Sequence, residues 1–412
     1  MKKSYVFAGA SVRALEMFMT PMKKEYADFC DLRGVYDINI GRAKEVADRV
    51  GIPVFEDFES MVRETKPDIV IVTTVDAFHS DYIIRAMELG CDVVTEKPMT
   101  IDADRCNAIL EAEKRIGRHV TVTFNYRYAP FMSKIKELLL SEAVGDVFSI
   151  HFEWLLDRNM DVLAHGTSYF RRWNSLLKNS GGLLVHKSTH HFDLVNWWIA
   201  QKPQSVSAFA KLNLYGAQGS AQYAHGIHGE NCRKCTNTKV CPFYYKLTDN
   251  EQKMYAANEC YDGYYKDGCV YSPDIDIYDT MAVTVQYDKG TMLTYSLNAT
   301  CAYEGWRISI NGSNGRIEAY LPESGPDCLG TFNTIRVFDL NNNVTEHRIS
   351  LGTGGHGGGD TRLRNMLFTD DTHDPLGYQA GTADGASSII IGAAANISIQ
   401  EKRIVDIDEL LG

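Results

Sequence analysis

The hydrophobic residues in the first third of the chain form short unbroken runs that amphipathic stretches separate. Such runs predict strands buried on both faces of a sheet, and they lie at 4–8, 32–36, 69–74, 93–98 and 120–124. Helical stretches fall between them, at 12–29, 43–50, 58–65, 79–89 and 102–116. This alternation predicts an α/β domain over residues 1–125, with a right-handed parallel sheet.

The rest of the chain has a different pattern, in which apolar and polar residues alternate along most predicted strands. After a helix at 131–140, alternating segments lie at 147–154, 205–214, 277–286, 292–299, 306–310 and 317–320. Turn sequences at 288–290 and 312–315 predict hairpins between antiparallel strands. A helix of mainly small residues is predicted at 383–400. We therefore expect a second, α+β domain over residues 126–412.

Length and composition limit the class of protein. The chain has 412 residues, which is too many for one ordinary core and favours two domains. A net charge of −11 without a dense basic tract argues against nucleic acid as a partner. No apolar run approaches the roughly 20 residues that cross a bilayer, so no membrane partner is expected. We expect a cytoplasmic protein.

A dinucleotide site is predicted where the first strand ends. Gly9, Ala10, Ser11 and Val12 form a turn between a strand and a helix, a geometry that presents backbone N–H groups to a pyrophosphate. Asp37 ends the second strand, where a carboxylate accepts from the ribose hydroxyls of an adenosine and repels a 2′-phosphate. The sequence therefore favours NAD over NADP as cofactor, although Arg42 lies one helical turn later and would attract that phosphate.

Glu96, Lys97 and Pro98 follow the apolar run at 93–95. Pro98 cannot donate a hydrogen bond to a sheet and disfavours helical backbone for Lys97. The chain should leave the sheet here, with Lys97 at the carboxyl end of a parallel strand, where ligands bind. The alternative is a surface ion pair between Lys97 and Glu96.

Four motifs in this order resemble the glucose–fructose oxidoreductase / inositol dehydrogenase family (Gfo/Idh/MocA). They are Asp37-Ile38-Asn39-x-x-Arg42-Ala43, Thr73-Thr74-x-Asp76-x-x-His79, Glu96-Lys97-Pro98 and Asn125-Tyr126-Arg127-Tyr128-x-Pro130. The resemblance implies a Rossmann domain, a second domain with a large open sheet, and a homo-dimer or homo-tetramer formed through that sheet. It also implies that Lys97 lies beside the nicotinamide and the substrate hydroxyl. Cofactor contacts are expected from the matching residues Thr73, Thr74, His79, Glu96, Lys97 and Asn125.

A second motif opens at Gly181-Gly182 and contains three histidines. His186, His190 and Asp193 are spaced i, i+4 and i+7, so they share one face if the segment is a single helix running to Ile199. The corresponding segment of the family has Asp, then His, then Asp, and His186 stands where the first Asp is usual. His190 is the predicted general base and His186 a relay. Lys187, His191 and Asp193 are predicted to bind substrate, and a metal held by the three spaced residues is the alternative.

Polar and aromatic residues are mixed in the loop at 157–173, which suits the binding of a sugar. We expect His165, Tyr169 and Arg172, together with Arg127, to contact substrate. The alternative is a buried aromatic loop with solvated arginines. His356, in a glycine-rich loop, either approaches the substrate or belongs to a linker.

Residues 215–276 are an insertion relative to the family and hold five of the ten cysteines within 38 residues. A CxxC pair brings two thiolates to one ion, and two further cysteines would complete a tetrahedral zinc site. The predicted set for a structural zinc is Cys232, Cys235, Cys241 and Cys260. Reduced cysteines in a tyrosine-rich segment are the alternative, since cytosolic thiols remain reduced.

These features predict an NAD-dependent oxidoreductase that acts on a secondary hydroxyl of a sugar, cyclitol or glycoside. A second hypothesis is a glycosidase or glycoside lyase with bound, recycled NAD, as in the NAD-dependent α-N-acetylgalactosaminidases that share this architecture. A third is a non-catalytic dinucleotide-binding regulator, supported only by Ser11 in place of a glycine. In the two catalytic hypotheses the partner is a small carbohydrate.

Overall fold

A computed structural model describes residues 2–158, 165–226, 228–328, 330–352, 354–369, 371 and 373–411. The first sheet is entirely parallel and has six strands in the order β3-β2-β1-β4-β5-β6. Its strands are β1 (Lys3–Ala8), β2 (Cys30–Tyr36), β3 (Val54–Phe55), β4 (Ile69–Val72), β5 (Asp92–Thr95) and β6 (Val120–Val122). This order is that of a Rossmann domain, whose ligand crevice lies where the strand order reverses, between β1 and β4.

Helices cover both faces of this sheet, as the hydrophobic pattern predicts. They are α1 (Thr20–Lys23), α2 (Ile40–Val50), α3 (Phe58–Thr65), α4 (His79–Glu88) and α5 (Ala103–Ile116). Side chains of Asn39, Asp57 and Asp102 accept backbone N–H groups at the starts of α2, α3 and α5. The predicted helix at 12–29 is too long. A π-helical turn, Ala14–Met19, precedes α1, and helical structure ends at Lys23.

The second sheet has nine strands in the order β14-β13-β12-β11-β7-β10-β9-β8-β15, and only β7 and β10 pair in parallel. Its strands are β7 (Val147–Asp157), β8 (Pro203–Lys211), β9 (Thr280–Tyr287), β10 (Met292–Cys301), β11 (Gly305–Gly312), β12 (Gly315–Pro322), β13 (Phe332–Asp339), β14 (Val344–Ser350) and β15 (Val405–Asp406). The remaining pairs are antiparallel, so the predicted fold class is confirmed.

Most helices of the second part pack on one face of this sheet or lie within the insertion, whereas the last but one packs against the first domain through Leu363 and Phe368. They are α6 (Pro130–Leu140), α7 (His165–Ser168), α8 (Leu177–Ser180), α9 (Leu183–His186), α10 (Thr189–Ile199), α11 (Gly216–Tyr223), α12 (Asp249–Met254), α13 (Gly359–Phe368) and α14 (Thr382–Glu401). The small residues of α14 permit close approach, because a Cβ added at Gly392 would lie 2.3 Å from the carbonyl oxygen of Leu184. Through α14, which contacts both α5 and β8, the two sheets are packed into one body.

The opposite face of the nine-stranded sheet is open and polar. A groove there is lined by alternate residues of neighbouring strands, including His151, Thr294, Arg307 and Glu318. Homo-oligomerisation through this face stays a prediction. Of the predicted loop at 157–173, residues 159–164 lie outside the described residues.

Candidate active site

The turn after β1 lies against the end of β4 at the crevice between the two strands. Gly9 has a φ of +106°, and a Cβ at this position would lie 2.6 Å from the carbonyl carbon of Thr73. The hydroxyl of Thr73 donates to the carbonyl oxygen of Gly9 at 2.9 Å. The hydroxyl of Ser11 accepts the N–H of Ala14 at 3.0 Å, so serine anchors the turn to the helix that follows. Glycine is therefore required at position 9, and the serine does not disrupt the turn.

Asp37 sits at the carboxyl end of β2, beside that turn. Its carboxylate accepts the N–H groups of Ala10 and Asn39, both at 2.7 Å, and one Nη of Arg42 at 3.0 Å. These contacts fix the carboxylate at the edge where the adenosine ribose of a dinucleotide lies in this fold. The turn, Asp37 and the open crevice fit NAD.

The Glu96-Lys97-Pro98 segment begins directly after β5, which ends at Thr95. Glu96 pairs with Arg13 at 2.7 Å, whereas Lys97 Nζ donates to the carbonyl oxygen of His186 at 3.1 Å. The alternative of an ion pair between the Glu96 and Lys97 side chains is therefore not what the structure contains. Burial, reinforced by the positive charge of Lys187, lowers the pKa of Lys97 to about 7.

His79 and Asn125, both predicted as cofactor residues, hold neighbouring loops. The ring nitrogens of His79 lie 2.9 Å from the carbonyl oxygen of Pro98 and 3.1 Å from that of Thr74. The side-chain amide of Asn125 donates to Asp360 at 2.5 Å. These contacts give His79 a positioning role behind Lys97, while the second hydrogen-bonding atom of Asn125, Oδ1, has no partner in the described residues.

The histidine-rich segment is not one helix, so this prediction is wrong. Helix α9 ends at His186, and α10 begins at Thr189. In a continuous helix the backbone carbonyl of His186 would accept the backbone N–H of His190. Instead it accepts the ammonium of Lys97. The backbone N–H of His190 donates to the carbonyl of Lys187. The lysine thus stabilises the break and fixes the orientation of the histidines.

His186 is hydrogen-bonded at both ring nitrogens. Its Nε2 faces the amide nitrogen of Asn174 at 3.1 Å, and its Nδ1 lies 2.5 Å from the carboxylate of Asp76. Because the Asn174 amide donates, Nε2 of His186 accepts. Nδ1 therefore carries the ring proton and donates a hydrogen bond to the Asp76 carboxylate. Burial is the main reason that the pKa of His186 lies well below its ordinary value. His186 stands at the position where the family usually has an aspartate.

His190 is buried, with only 1% of its surface exposed, and neither ring nitrogen has a partner within the described residues. Its ring centroid lies 4.3 Å from that of Tyr126 and 6.2 Å from that of His356. Burial, and then the positive charge of Lys97, depress the pKa of His190 well below its ordinary value. A neutral imidazole with free ring nitrogens is able to accept a proton. Since buried polar atoms normally have hydrogen-bond partners, these two nitrogens are candidates to bond a ligand.

Two tryptophans extend this surface, and the sequence alone did not identify them. Trp154 on β7 is paired across the sheet with Trp306 on β11, and both indole N–H groups lack partners in the described part of the chain. Lys187 Nζ lies 5.2 Å from the ring centroid of Trp154 and 5.6 Å from that of Tyr126. Ring faces with unused donors suit a sugar, which stacks its carbon face and bonds through its hydroxyls.

A pair of carboxyl groups, Glu304 and Glu323, lies at the open end of the β11–β12 hairpin. They are hydrogen-bonded to each other, and Glu304 also lies 2.5 Å from Nδ1 of His165. The surface of Glu323 is exposed, and the charge of the buried Glu304 beside it raises the pKa of Glu323 above its ordinary value. The turn predicted at 312–315 fixes the register of β11 with β12, and this register places position 304 opposite position 323. The sequence could therefore have indicated this pair.

The remaining predicted substrate residues divide into two groups. Tyr169 is buried and has the guanidinium of Arg172 5.5 Å from its ring centroid and the ring of His165 at 6.0 Å. His191 bonds the hydroxyl of Tyr295 at 2.8 Å and leaves its other nitrogen without a partner in the described residues. Tyr169 also packs against His186, and His191 packs against Trp154 and Trp306.

Arg127 and Asp193, by contrast, bond each other. Two guanidinium nitrogens of Arg127 donate to the Asp193 carboxylate at 2.8 and 2.5 Å, and one also contacts Asp384 at 2.9 Å. Burial raises the pKa of Asp193 to about 6, against the opposing effect of Arg127. Asp193 therefore has a positioning role, because its buried and fully paired carboxylate supports the first half of α10.

We expect Asp193→Ala to destabilise the fold by about 3 kcal/mol, because it leaves the buried Arg127 with the half-exposed Asp384 as its one carboxylate partner in the described residues. Urea unfolding measures the change in the free energy of unfolding. The matched control is Glu318→Ala, which breaks exposed ion pairs on the open sheet face and should cost less than about 1 kcal/mol. Equal losses for the two variants would contradict the structural role of the buried pair.

The structure does not support the zinc prediction. Throughout the residues that the structure describes, no three His, Cys, Asp or Glu side chains are arranged to hold a metal ion, and the cysteines are free thiols. Cys260 is exposed, away from the small cavity that the other three line together with Cys269. The CxxC spacing identified Cys232 and Cys235 as neighbours. It could not identify Cys269, because a bridge between Asn231 and Gly268 brings that residue to the same cavity. The His186–His190–Asp193 metal alternative is excluded in the same described residues.

A Rossmann sheet with an acid at the end of β2, facing a lysine and a neutral histidine, defines a dinucleotide-dependent oxidoreductase. Residues 3–124 match the family model for an oxidoreductase family NAD-binding Rossmann fold, and residues 136–407 match the model for its C-terminal alpha/beta domain. The chain therefore belongs to the Gfo/Idh/MocA oxidoreductase family, which confirms the resemblance and removes the support for a non-catalytic regulator.

The curated relatives differ in how much of this chain they match. The Bacillus subtilis (strain 168) protein YteT is 37% identical over 99% of this chain and 98% of its own length. An inositol 2-dehydrogenase of Rubrobacter xylanophilus is 30% identical over 42% of this chain and 46% of its own length. The similarity to a dehydrogenase of a cyclitol is thus concentrated in part of the chain.

A solved structure has the same fold over the full length. An oxidoreductase from Agrobacterium radiobacter, in complex with NAD+, L-tartaric acid and magnesium, superposes with a TM-score of 0.66 at 16% identity and covers 100% of both chains. At this identity the similarity concerns the fold alone. Among the described residues, no helix is long and apolar enough to span a membrane.

Proposed function

We propose that this protein oxidises a secondary hydroxyl of a cyclitol, sugar or glycoside by transferring hydride to NAD. The observation that carries the proposal is His190, a buried neutral imidazole with both nitrogens free in the described residues, whose strongest charged neighbour is Lys97. Tyr126 packs against His190, and Trp154 and Trp306 pack against the neighbouring His191. A base, a cation and aromatic rings close together are what the oxidation of a carbohydrate requires.

In the proposed mechanism the protein supplies a base and a positive charge. Bound NAD supplies the hydride acceptor. His190 accepts the hydroxyl proton of the substrate. The ammonium of Lys97 stabilises the negative charge that develops on the same oxygen. The backbone carbonyl of His186 accepts from Lys97, and the pairing of Glu96 with Arg13 leaves the lysine free of that carboxylate. The Asp76 carboxylate holds the His186 side chain next to this contact.

A panel of cyclitols, aldoses, uronic acids and simple glycosides, each offered with NAD, tests the proposal through the absorbance of NADH. We expect oxidation of at least one member by the wild-type protein and oxidation about 100-fold slower or more by Lys97→Met. NADH formed at equal rates by both proteins would contradict the assignment.

The pH dependence of oxidation follows from Lys97. Its pKa of about 7 means that the ammonium fraction falls as pH rises through that value, whereas His190, with a pKa well below 6.5, remains an available base. We expect kcat/KM to fall above about pH 7. In Lys187→Met the loss of a neighbouring positive charge raises the pKa of Lys97, so the falling limb should move to higher pH. A limb at the same pH in both proteins would show that another group is titrating.

A second function, glycoside cleavage with recycled NAD, is favoured by the Glu304–Glu323 pair. Oxidation beside a glycosidic carbon acidifies the neighbouring C–H bond, and the leaving oxygen then needs a proton. Glu323 is the candidate donor, because the charge of Glu304 beside it raises the pKa of Glu323. Nitrophenyl glycosides distinguish the two functions: release of nitrophenol without net NADH supports cleavage, and net NADH without release excludes it.

A further inference from the structure

The insertion, residues 215–276, crosses from the second domain onto the Rossmann domain. The amide of Asn39 donates to the carbonyl oxygen of Asn258 at 2.8 Å, and Arg49 donates to the side chain of Asn250 at 2.6 Å. At Gly41 a Cβ would lie 2.2 Å from the Asn258 side-chain oxygen, so only glycine permits this approach. The insertion thus packs on the start of α2, next to the predicted adenosine site.

Arg42 is held between two carboxylates from different domains. One Nη lies 3.0 Å from Asp37 and 2.8 Å from Asp262 of the insertion, and all three side chains are at most 12% exposed. Arg42 is the residue that would otherwise pair with the 2′-phosphate of NADP. With Asp262 present, Asp37 and Asp262 already share the charge of Arg42. The 2′-phosphate of NADP, with a charge of about −1.5 to −2, would therefore gain little from Arg42.

The insertion also reaches the phosphate-binding turn. The hydroxyl of Tyr255 accepts the N–H of Val12 at 3.2 Å, which leaves the phenolic proton to donate to a phosphate oxygen. Lys266 Nζ lies 5.1 Å from the ring centroid of Tyr255 and 3.7 Å from the Glu251 carboxylate. A cation this close to the Tyr255 ring adds positive charge that complements a diphosphate.

We propose that the insertion forms the outer wall of the dinucleotide site, with Tyr255 contacting the diphosphate and Asp262 making the site select NAD over NADP. This assignment rests on the proposed function for its cofactor. It goes further in placing a specificity-determining residue outside the Rossmann domain. Asp37 repels the 2′-phosphate directly, and Asp262 removes the cation that would attract it.

Titrations of the full-length protein with NAD and with NADP test the role of Asp262. Because a nearby like charge at a protein surface changes affinity by one to three decades, we expect Asp262→Asn to tighten NADP binding by roughly 10-fold or more and to change NAD binding by less than about 3-fold. Asp262→Glu, which keeps the charge, should retain most of the discrimination. An NADP affinity that is unchanged in Asp262→Asn would overturn the proposal.

Two further variants separate specificity from folding. The double variant Asp262→Asn/Arg42→Met should lose the gain in NADP affinity, because that gain depends on a freed Arg42. Glu230→Gln, an exposed acid of the same insertion paired with Lys234, should leave both affinities unchanged. A gain that persists without Arg42 would contradict the mechanism.

Tyr255→Phe tests the diphosphate contact. It should weaken NAD and NADP by the same factor, roughly 3- to 10-fold for one hydrogen bond to a charged group, and leave their ratio constant. Unchanged binding of both would exclude the contact. Since these titrations involve no turnover, their outcome is independent of whether the proposed substrate class is correct.

Discussion

Replacing Lys97 with methionine is expected to lower kcat for the oxidation by about 10²–10³-fold, while the Kd for NAD changes by less than about 3-fold. Methionine keeps the length and apolar stem of lysine but removes the charge that stabilises the developing alkoxide. Lys97 also bonds the carbonyl of His186, so a small loss of stability accompanies the change. Single-turnover kinetics with saturating NAD measure the chemical step.

Lys114→Met, at an exposed position on α5, is the matched control for Lys97→Met and should retain the wild-type rate. Unfolding curves of both variants separate stability from chemistry. If Lys97→Met retained wild-type kcat while remaining folded, the lysine would have no part in the reaction.

Replacing His190 with asparagine is expected to lower kcat by about 10²–10⁴-fold, the range for loss of a general base. The imidazole makes no hydrogen bond in the described residues, so its removal breaks none, and the fold should tolerate asparagine. The change should leave the affinity for NAD intact, because the ring packs against Tyr126 of the second domain rather than against the turn after β1.

His151→Asn, on the open face of the large sheet, provides the control for His190→Asn, and its kinetics should equal those of the wild type. The pH profile adds a second readout: the fall in rate above about pH 7 should persist in His190→Asn, because it follows from Lys97. A wild-type rate in His190→Asn would move the base to another residue of the cavity.

Much of the fold could be predicted because its signals are local. The buried strands of the Rossmann domain are continuously apolar, and the caps at Asn39, Asp57 and Asp102 lie immediately before their helices. The position of Lys97 followed from Pro98 and from the strand before it. Each of these features depends on residues within a few positions of one another.

The parts that could not be predicted depend on contacts between distant residues. Helix α9 ends at His186 because Lys97, 89 positions earlier, takes its carbonyl. Trp154 meets Trp306 only through the register of β7 with β11. Spacing along the chain contains neither the break nor the pairing, so the sequence placed the histidines on one helix and left the tryptophans out of the site.

The insertion illustrates the same limit. Its cysteines suggested a metal, whereas its contacts with Asn39 and Arg42 direct attention to the dinucleotide site. Those contacts join residues more than 200 positions apart and have no sequence signature.

The most direct test of the central claim follows the hydrogen itself. A carbohydrate that the protein oxidises is deuterated at the carbon of the reacting hydroxyl, and the product dinucleotide is examined by mass spectrometry. Direct hydride transfer beside Lys97 and His190 predicts that deuterium appears on the nicotinamide ring of NADH. Oxidised product accompanied by NADH that contains no deuterium would contradict the account.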